Sequence, residues 1–137
     1  MPITDEALDH YNDVALHGET PITTWYIGLI DSSGYSTLAA GDTLASHAGW
    51  TECTAYDEGA RQEWTEGASS GGETTNAAGV EFTMSDTKTV KGAFICSAAS
   101  GTSGVLLGCW LFDEGDKSVV DGDVLRVFST AILDQAA

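Results

Sequence analysis

The sequence predicts an all-β protein: an antiparallel β-sandwich, jelly-roll-like, with a short N-terminal helix. Three observations point there. Apolar residues alternate with polar ones over short segments along most of the chain, the period of a half-buried strand. Turn-forming clusters separate these segments roughly every 8–12 residues, the spacing of sandwiches and barrels. Glycine is abundant, at 16 of 137 residues, as a turn-rich chain requires.

Taken in order, residues 1–20 form a helical segment or arm and residues 21–137 the sandwich domain. Thr4 can cap a helix over residues 4–17. Asp5 and Glu6 fall in its first turn, where the helix dipole favours negative charge. Ala7, Leu8, Tyr11, Val14 and Ala15 recur at spacings of three and four, and Gly18 can stop the helix. The apolar stripe is thin, so this helix packs on something else: its own sheet or a neighbouring subunit.

Pro21 ends the helical pattern, and Thr23–Ile30 reads as the first strand. Trp25, Ile27 and Leu29 line one face, with Tyr26 and Ile30 on the other. Asp31-Ser32-Ser33-Gly34 is a turn. Residues 36–59 read as a long excursion with short strand pieces; such loops in a small domain are functional or contact surfaces. Arg61–Thr65 is a short strand and Ala68–Thr75 a loop. Val80, Phe82 and Met84 point inward from the next strand. Thr89–Ser97 follows, with Val90, Phe94 and Cys96 on one face. Val105–Phe112 is apolar on both faces, as a central strand is. Val124–Leu133 closes the chain, with Leu125, Val127, Ala131 and Leu133 facing one way and Val124, Arg126, Phe128 and Ile132 the other. A last strand apolar on both faces calls for a second cover, either a subunit interface or part of the same chain.

Composition narrows the function classes. There are 21 acidic residues against 5 Lys plus Arg, for a formal net charge of -16. Nucleic-acid affinity rests on cations that neutralise phosphate, so this balance argues against DNA or RNA as a partner. The acidity serves solubility and limits self-association. No apolar stretch is long enough to span a bilayer, and the acidic N-terminus lacks a signal-peptide core. A soluble, unprocessed chain without a membrane partner is expected.

Cys53, Cys96 and Cys109 are odd in number and lack metal-type spacing, so reduced thiols are expected. A tight turn around Ala98–Ser103 puts Cys96 opposite about Val105, which argues against a Cys96–Cys109 bond. His10, His17 and His47 are scattered and read as solvent-facing; His10 and His17 are too far apart for the i, i+4 metal pair. No nucleophile elbow, phosphate loop, dinucleotide fingerprint or zinc-protease motif occurs. No catalytic residue and no cofactor is assigned, and the chain is read as a non-enzyme. The only candidates for an ion site are the acidic turns carrying Asp113, Glu114, Asp116, Asp121 and Asp123, since calcium takes oxygens from flexible loops. A solvated pair of turns is the plainer reading. Of the tryptophans, Trp25 and Trp110 fall in strands and are core candidates. Trp50 and Trp64 fall in less regular regions. With Tyr56, Val124, Arg126 and Phe128 they are the candidates for contacts between subunits.

Three stretches carry a family likeness. The first is Trp25-Tyr26-Ile27-Gly28-Leu29. The second runs from Gly41 to Trp50, with Thr51-Glu52, Tyr56 and Arg61-Gln62-Glu63-Trp64. The third is Val90-Lys91-Gly92-Ala93-Phe94 with Val120-Asp121-Gly122-Asp123-Val124-Leu125. Over about residues 22–133 the chain resembles small β-rich virion proteins of tailed bacteriophages, a group that includes head decoration (cement) and fibre-like proteins. The resemblance implies a non-enzymatic virion component and does not by itself say head or tail; the lead reading is a capsid decoration protein on the outside of the virion. Its partner would be the major capsid protein, and it would be made in the host cytoplasm and act as a homo-oligomer, with a trimer favoured at three-fold positions of the shell. The alternative it implies is a tail or head fibre module binding a host surface glycan.

Overall fold

The computed structural model describes residues 2–132. Its chain is mostly β, with antiparallel sheets and one short helix near the N-terminus. Helix α1 spans Asp5–Asn12, and the Thr4 hydroxyl accepts from the Ala7 amide at 3.2 Å, the expected cap. A wider, π-helical stretch continues over Asp13–His17 and stops at Gly18, whose φ of 76° closes the helix in the left-handed region. The helix buries Ala7 and His10, while Leu8 is turned toward solvent.

The main sheet holds six strands: β1 (Tyr26–Asp31), β2 (Thr51–Cys53), β3 (Gln62–Glu63), β6 (Lys88–Cys96), β7 (Leu106–Leu111) and β8 (Lys117–Val119). β1 and β6 form its centre. β2 and β3 pair with successive parts of β1, and β7 and β8 with successive parts of β6. Two ribbons complete the architecture: β4 (Glu73–Thr75) with β10 (Thr130–Ile132), and β5 (Val80–Thr83) with β9 (Val124–Val127).

Both faces of the main sheet are covered. One carries the larger core, where Ile27, Leu29, Ala93, Ile95 and Leu107 meet Phe82 and Met84, Val127 of β9, Ala7 of α1, and Trp25, Tyr56 and Trp64. The other carries Ile30, Phe94, Cys96, Leu106 and Cys109 under Leu44 and Trp50. The long excursion is therefore the lid of a second core. Asp42 holds it in shape: one carboxylate oxygen accepts from the Trp50 indole at 3.1 Å and from the Ala39 amide at 3.0 Å.

Four expectations are corrected by register and pairing. Val90 does not share a face with Phe94 and Cys96. Asp31 pairs with Val90 and Ile30 with Gly92, so Lys91 is an extra, bulged residue that flips Val90 into the larger core. β7 is apolar on both faces but is not central; its outer edge is capped by the N-terminal segment. There Ile3 bridges Gly108, the Thr4 amide donates to Leu107 O at 3.0 Å, the Thr4 hydroxyl donates to Leu106 O, and the Glu6 carboxylate accepts from the Leu106 amide at 2.8 Å. The loop read over Ala68–Thr75 contains strand β4. The closing strand is two strands, β9 and β10, paired to different partners.

The break between β9 and β10 is set by Asn76, 1% exposed. Its side-chain oxygen accepts from the Ser129 amide at 2.7 Å, and its amide nitrogen donates to Val127 O at 3.3 Å. These bonds satisfy backbone groups that a continuous ladder would otherwise pair. Leu133, assigned to that strand from the sequence, lies outside the described residues.

Candidate functional site

Three of the six contact candidates belong to the protein's own interior. Trp50 is 1%, Trp64 3% and Tyr56 7% exposed, so none is presented to a partner subunit. The excursion folds back and carries Trp50 and Tyr56 inward, and Trp64, just after β3, joins the larger core. His47 stacks on Trp50 with ring centroids 3.8 Å apart, and Trp50 packs against Phe94 at 5.0 Å. Tyr56 meets Phe82 edge to face at 4.9 Å. Burial first, and the Glu52 charge second, push the Tyr56 phenol up to about 12.

The other three candidates share the outward face of β9 and its exit. Val124 and Phe128 are 59% and 55% exposed, and the Arg126 guanidinium pairs with Glu81 across the ribbon. Val120, just before β9, is 52% exposed. Strand alternation accounts for the placement: Val127 points into the core and Leu125 packs against it, which turns Val124 and Arg126 out. This strip, apolar at Val120, Val124 and Phe128 with the Arg126–Glu81 pair between the last two, is the candidate docking surface.

Beside it lies a trough of about 410 Å³ between the end of β7 and the β4–β10 ribbon, lined by Trp110, Leu111, Asp113, Phe128, Thr75 and Thr130 among others. Trp110, a core candidate from the sequence, packs against the larger core and is half-buried, with part of its surface in the trough. The signal was its place near the end of a strand that runs into an acidic turn.

The acidic turns do not converge. Among the described residues, no group of three or more His, Cys, Asp or Glu side chains is placed to hold a metal ion. Glu114 pairs with Lys117 at 2.6 Å, and that bond draws its carboxyl below the ordinary value. Asp116 pairs with Lys91 at 3.3 Å, and Asp123 accepts from the Val120 amide at 2.9 Å within its own turn. Asp113 and Asp121 project from the two turns as exposed side chains.

Two histidines depart from the solvent-facing reading. His10 is 6% exposed: Nε2 accepts from the Ile22 amide at 3.4 Å, and Nδ1 lies 3.5 Å from the Glu19 carboxylate. It ties the helix to the segment that leads into β1. His47 is half-buried against Trp50, and His17 is exposed.

Arg61 is the buried charge that the sequence did not single out. Its Nε and Nη2 donate to the two Glu52 oxygens at 2.9 and 2.7 Å, and Nη1 and Nη2 donate to the carbonyls of Ala98 and Gly101 at 2.9 Å each. The guanidinium also lies 5.2 Å from the Phe94 ring centre. Burial is the largest single influence and opposes this charge, yet the Glu52 bond and the neighbouring groups together outweigh it, and the guanidinium holds its proton more tightly than usual. Arg61 is thus a clamp that joins the β6–β7 hairpin to β2.

All three cysteines are free and buried. Cys96 pairs with Leu106 and Cys109 with Phe94 across β6 and β7, because Leu107 bulges out of register. Burial pushes all three thiols up, leaving them protonated and poor nucleophiles. No described helix is long and apolar enough to cross a membrane. Neither a protein-family model nor a curated protein matches the sequence.

Proposed function

We propose that this chain is a non-enzymatic binding component of a tailed-bacteriophage particle: a capsid decoration (cement) protein on the outer face of the shell. The observation that carries the reading is the outward face of β9. Val124 and Phe128 stand more than half exposed. The other three phenylalanines and all four tryptophans are buried or packed on the cores. An exposed apolar strip on so acidic a body is suited to docking, and the likeness to small virion proteins names the particle. The body is read as sandwich-like and jelly-roll-related, with the β5–β9 ribbon facing the main sheet across the larger core. Such a body has few open edges to aggregate at high copy number.

The major capsid protein is the proposed partner and a homotrimer the proposed state, since shell hexamers meet around local three-fold positions. Binding only to the closed shell stabilises it by mass action. The test uses shells stripped of the protein and re-decorated with purified chain. Re-decorated shells are expected to retain DNA at temperatures at which bare shells release it. Equal release from both would end the cement role. Imaging of labelled protein at one vertex or on the tail, in place of the whole head, would favour the fibre alternative.

A further inference from the structure

The trough beside β9 has a chemistry distinct from the docking strip. Its volume, about 410 Å³, falls in the range of roughly 300–1,000 Å³ typical of small-molecule sites. Trp110, Phe128 and Leu111 are its apolar and aromatic lining residues, and Thr75, Thr130 and Asp113 are among its polar ones. No Lys, Arg or His is among its described lining residues. Glu114 and Asp116 on the same turn are paired with Lys117 and Lys91, whereas Asp113 takes part in neither pair.

The exposed Phe128 ring is held in place. It lies against Gly79, where an added Cβ would come within 2.9 Å of its Cζ; the φ of +72° at Gly79 and the lack of a side chain make that seat. The next residue, Ser129, is fixed through its amide by the buried Asn76. A positioned, water-exposed aromatic ring beside hydroxyls and a carboxylate is preorganised for a ligand with one apolar face and polar edges.

We propose that this trough binds a neutral saccharide. The C–H face of a sugar ring stacks on an aromatic ring, and its hydroxyl edge donates to a carboxylate and exchanges hydrogen bonds with threonine hydroxyls. Phosphorylated, sulfated or sialylated ligands are disfavoured by Asp113 and by the net charge of -16, with no cation in the trough to offset them. A wholly apolar ligand would leave the carboxylate and the hydroxyls desolvated without partners. The trough shares Phe128 with the docking face but not Val120 or Val124, so substitution at Val124 separates sugar binding from shell binding.

The test is a titration of the purified full chain with neutral α-glucan, β-glucan, galactan and chitin fragments, followed by tryptophan fluorescence and calorimetry. Binding of at least one series is expected. Phe128→Ala should weaken it roughly tenfold, the upper end for one aromatic contact, and Asp113→Asn should weaken it by a smaller factor. Both positions are exposed, so both variants should melt as the parent does; Val124→Asp should bind sugar as the parent does. No binding of any neutral fragment, or equal binding by parent and both variants, overturns the site. Tighter binding of choline than of any sugar overturns the ligand class. Loss of shell binding with sugar binding intact would remove the cement reading and leave this one standing.

Discussion

The main sheet and the β5–β9 ribbon solve the same problem differently. Each is antiparallel, and each alternates its side chains. β6 buries both faces: Ala93 and Ile95 on one side, Phe94 and Cys96 on the other, all at 0% exposure. The neighbouring strand fits that density, since a side chain on Gly28 of β1 would run into the Phe94 ring. β9 buries Val127 and leaves Val124 and Phe128 in water. The difference lies in what covers the second face. The excursion through Leu44 and Trp50 covers the main sheet, and no described segment does so for β9. A solvated second face is a place for another molecule; a covered one is not.

The largest effect expected of this contrast is at Phe94. Phe94→Ala should cost about 3–5 kcal/mol, read by urea unfolding, because the ring fills space between Trp50 and Arg61 that the sheet cannot close. A loss under 1 kcal/mol would show that the loop-covered core is not a tight one. Arg61→Met should come next, at about 2–3 kcal/mol, since it strands the Glu52 carboxylate and frees the Ala98–Gly101 turn. Restored stability in Arg61→Met combined with Glu52→Gln would confirm that the unpaired charge is the cause.

Alkali probes the larger core. The Tyr56 phenol is pushed up from 10.0 to about 12, so the fold favours its protonated form. Its contribution is intact below pH about 10, where the phenol is protonated folded or unfolded. It is lost progressively as the pH rises to about 12, on the order of 2 kcal/mol in all. Tyr56→Phe should flatten that stretch of the stability curve; an unchanged slope would place the titrating group elsewhere. The smallest effect belongs to the ribbon. Val124→Asp should change stability by no more than about 0.5 kcal/mol, as exposed substitutions do, while abolishing attachment to shells. Full attachment by Val124→Asp would remove β9 as the docking face.

Much of the architecture was legible because it depends on local pattern. The Thr4 cap, the first strand (expected over Thr23–Ile30, found over Tyr26–Asp31), the inward set Val80, Phe82 and Met84, and the outward set Val124, Arg126 and Phe128 follow from residue type and spacing. What was misplaced depended on register or on distant partners. One bulged residue, Lys91, reverses the face of Val90, and alternation carries no warning of it. Trp50, Tyr56 and Trp64 looked available because their segments are irregular, yet irregular backbone can cover a core when side chains such as Asp42 satisfy its polar groups. The trough was illegible for the same reason: Thr75, Trp110 and Phe128 are brought together from three separate strands or their ends.

By itself the sequence determined the β-rich class, the acidic surface, the capped helix and the split between inward and outward residues where no bulge intervenes, since periodicity and charge are properties of the chain. Tertiary structure alone decided which apolar residues are hidden. Burial is a relation between segments far apart in sequence: the Ala39–Trp50 loop closing over Phe94, and Asn76 parting β9 from β10. Only the folded chain leaves Phe128 standing in water at the rim of a trough.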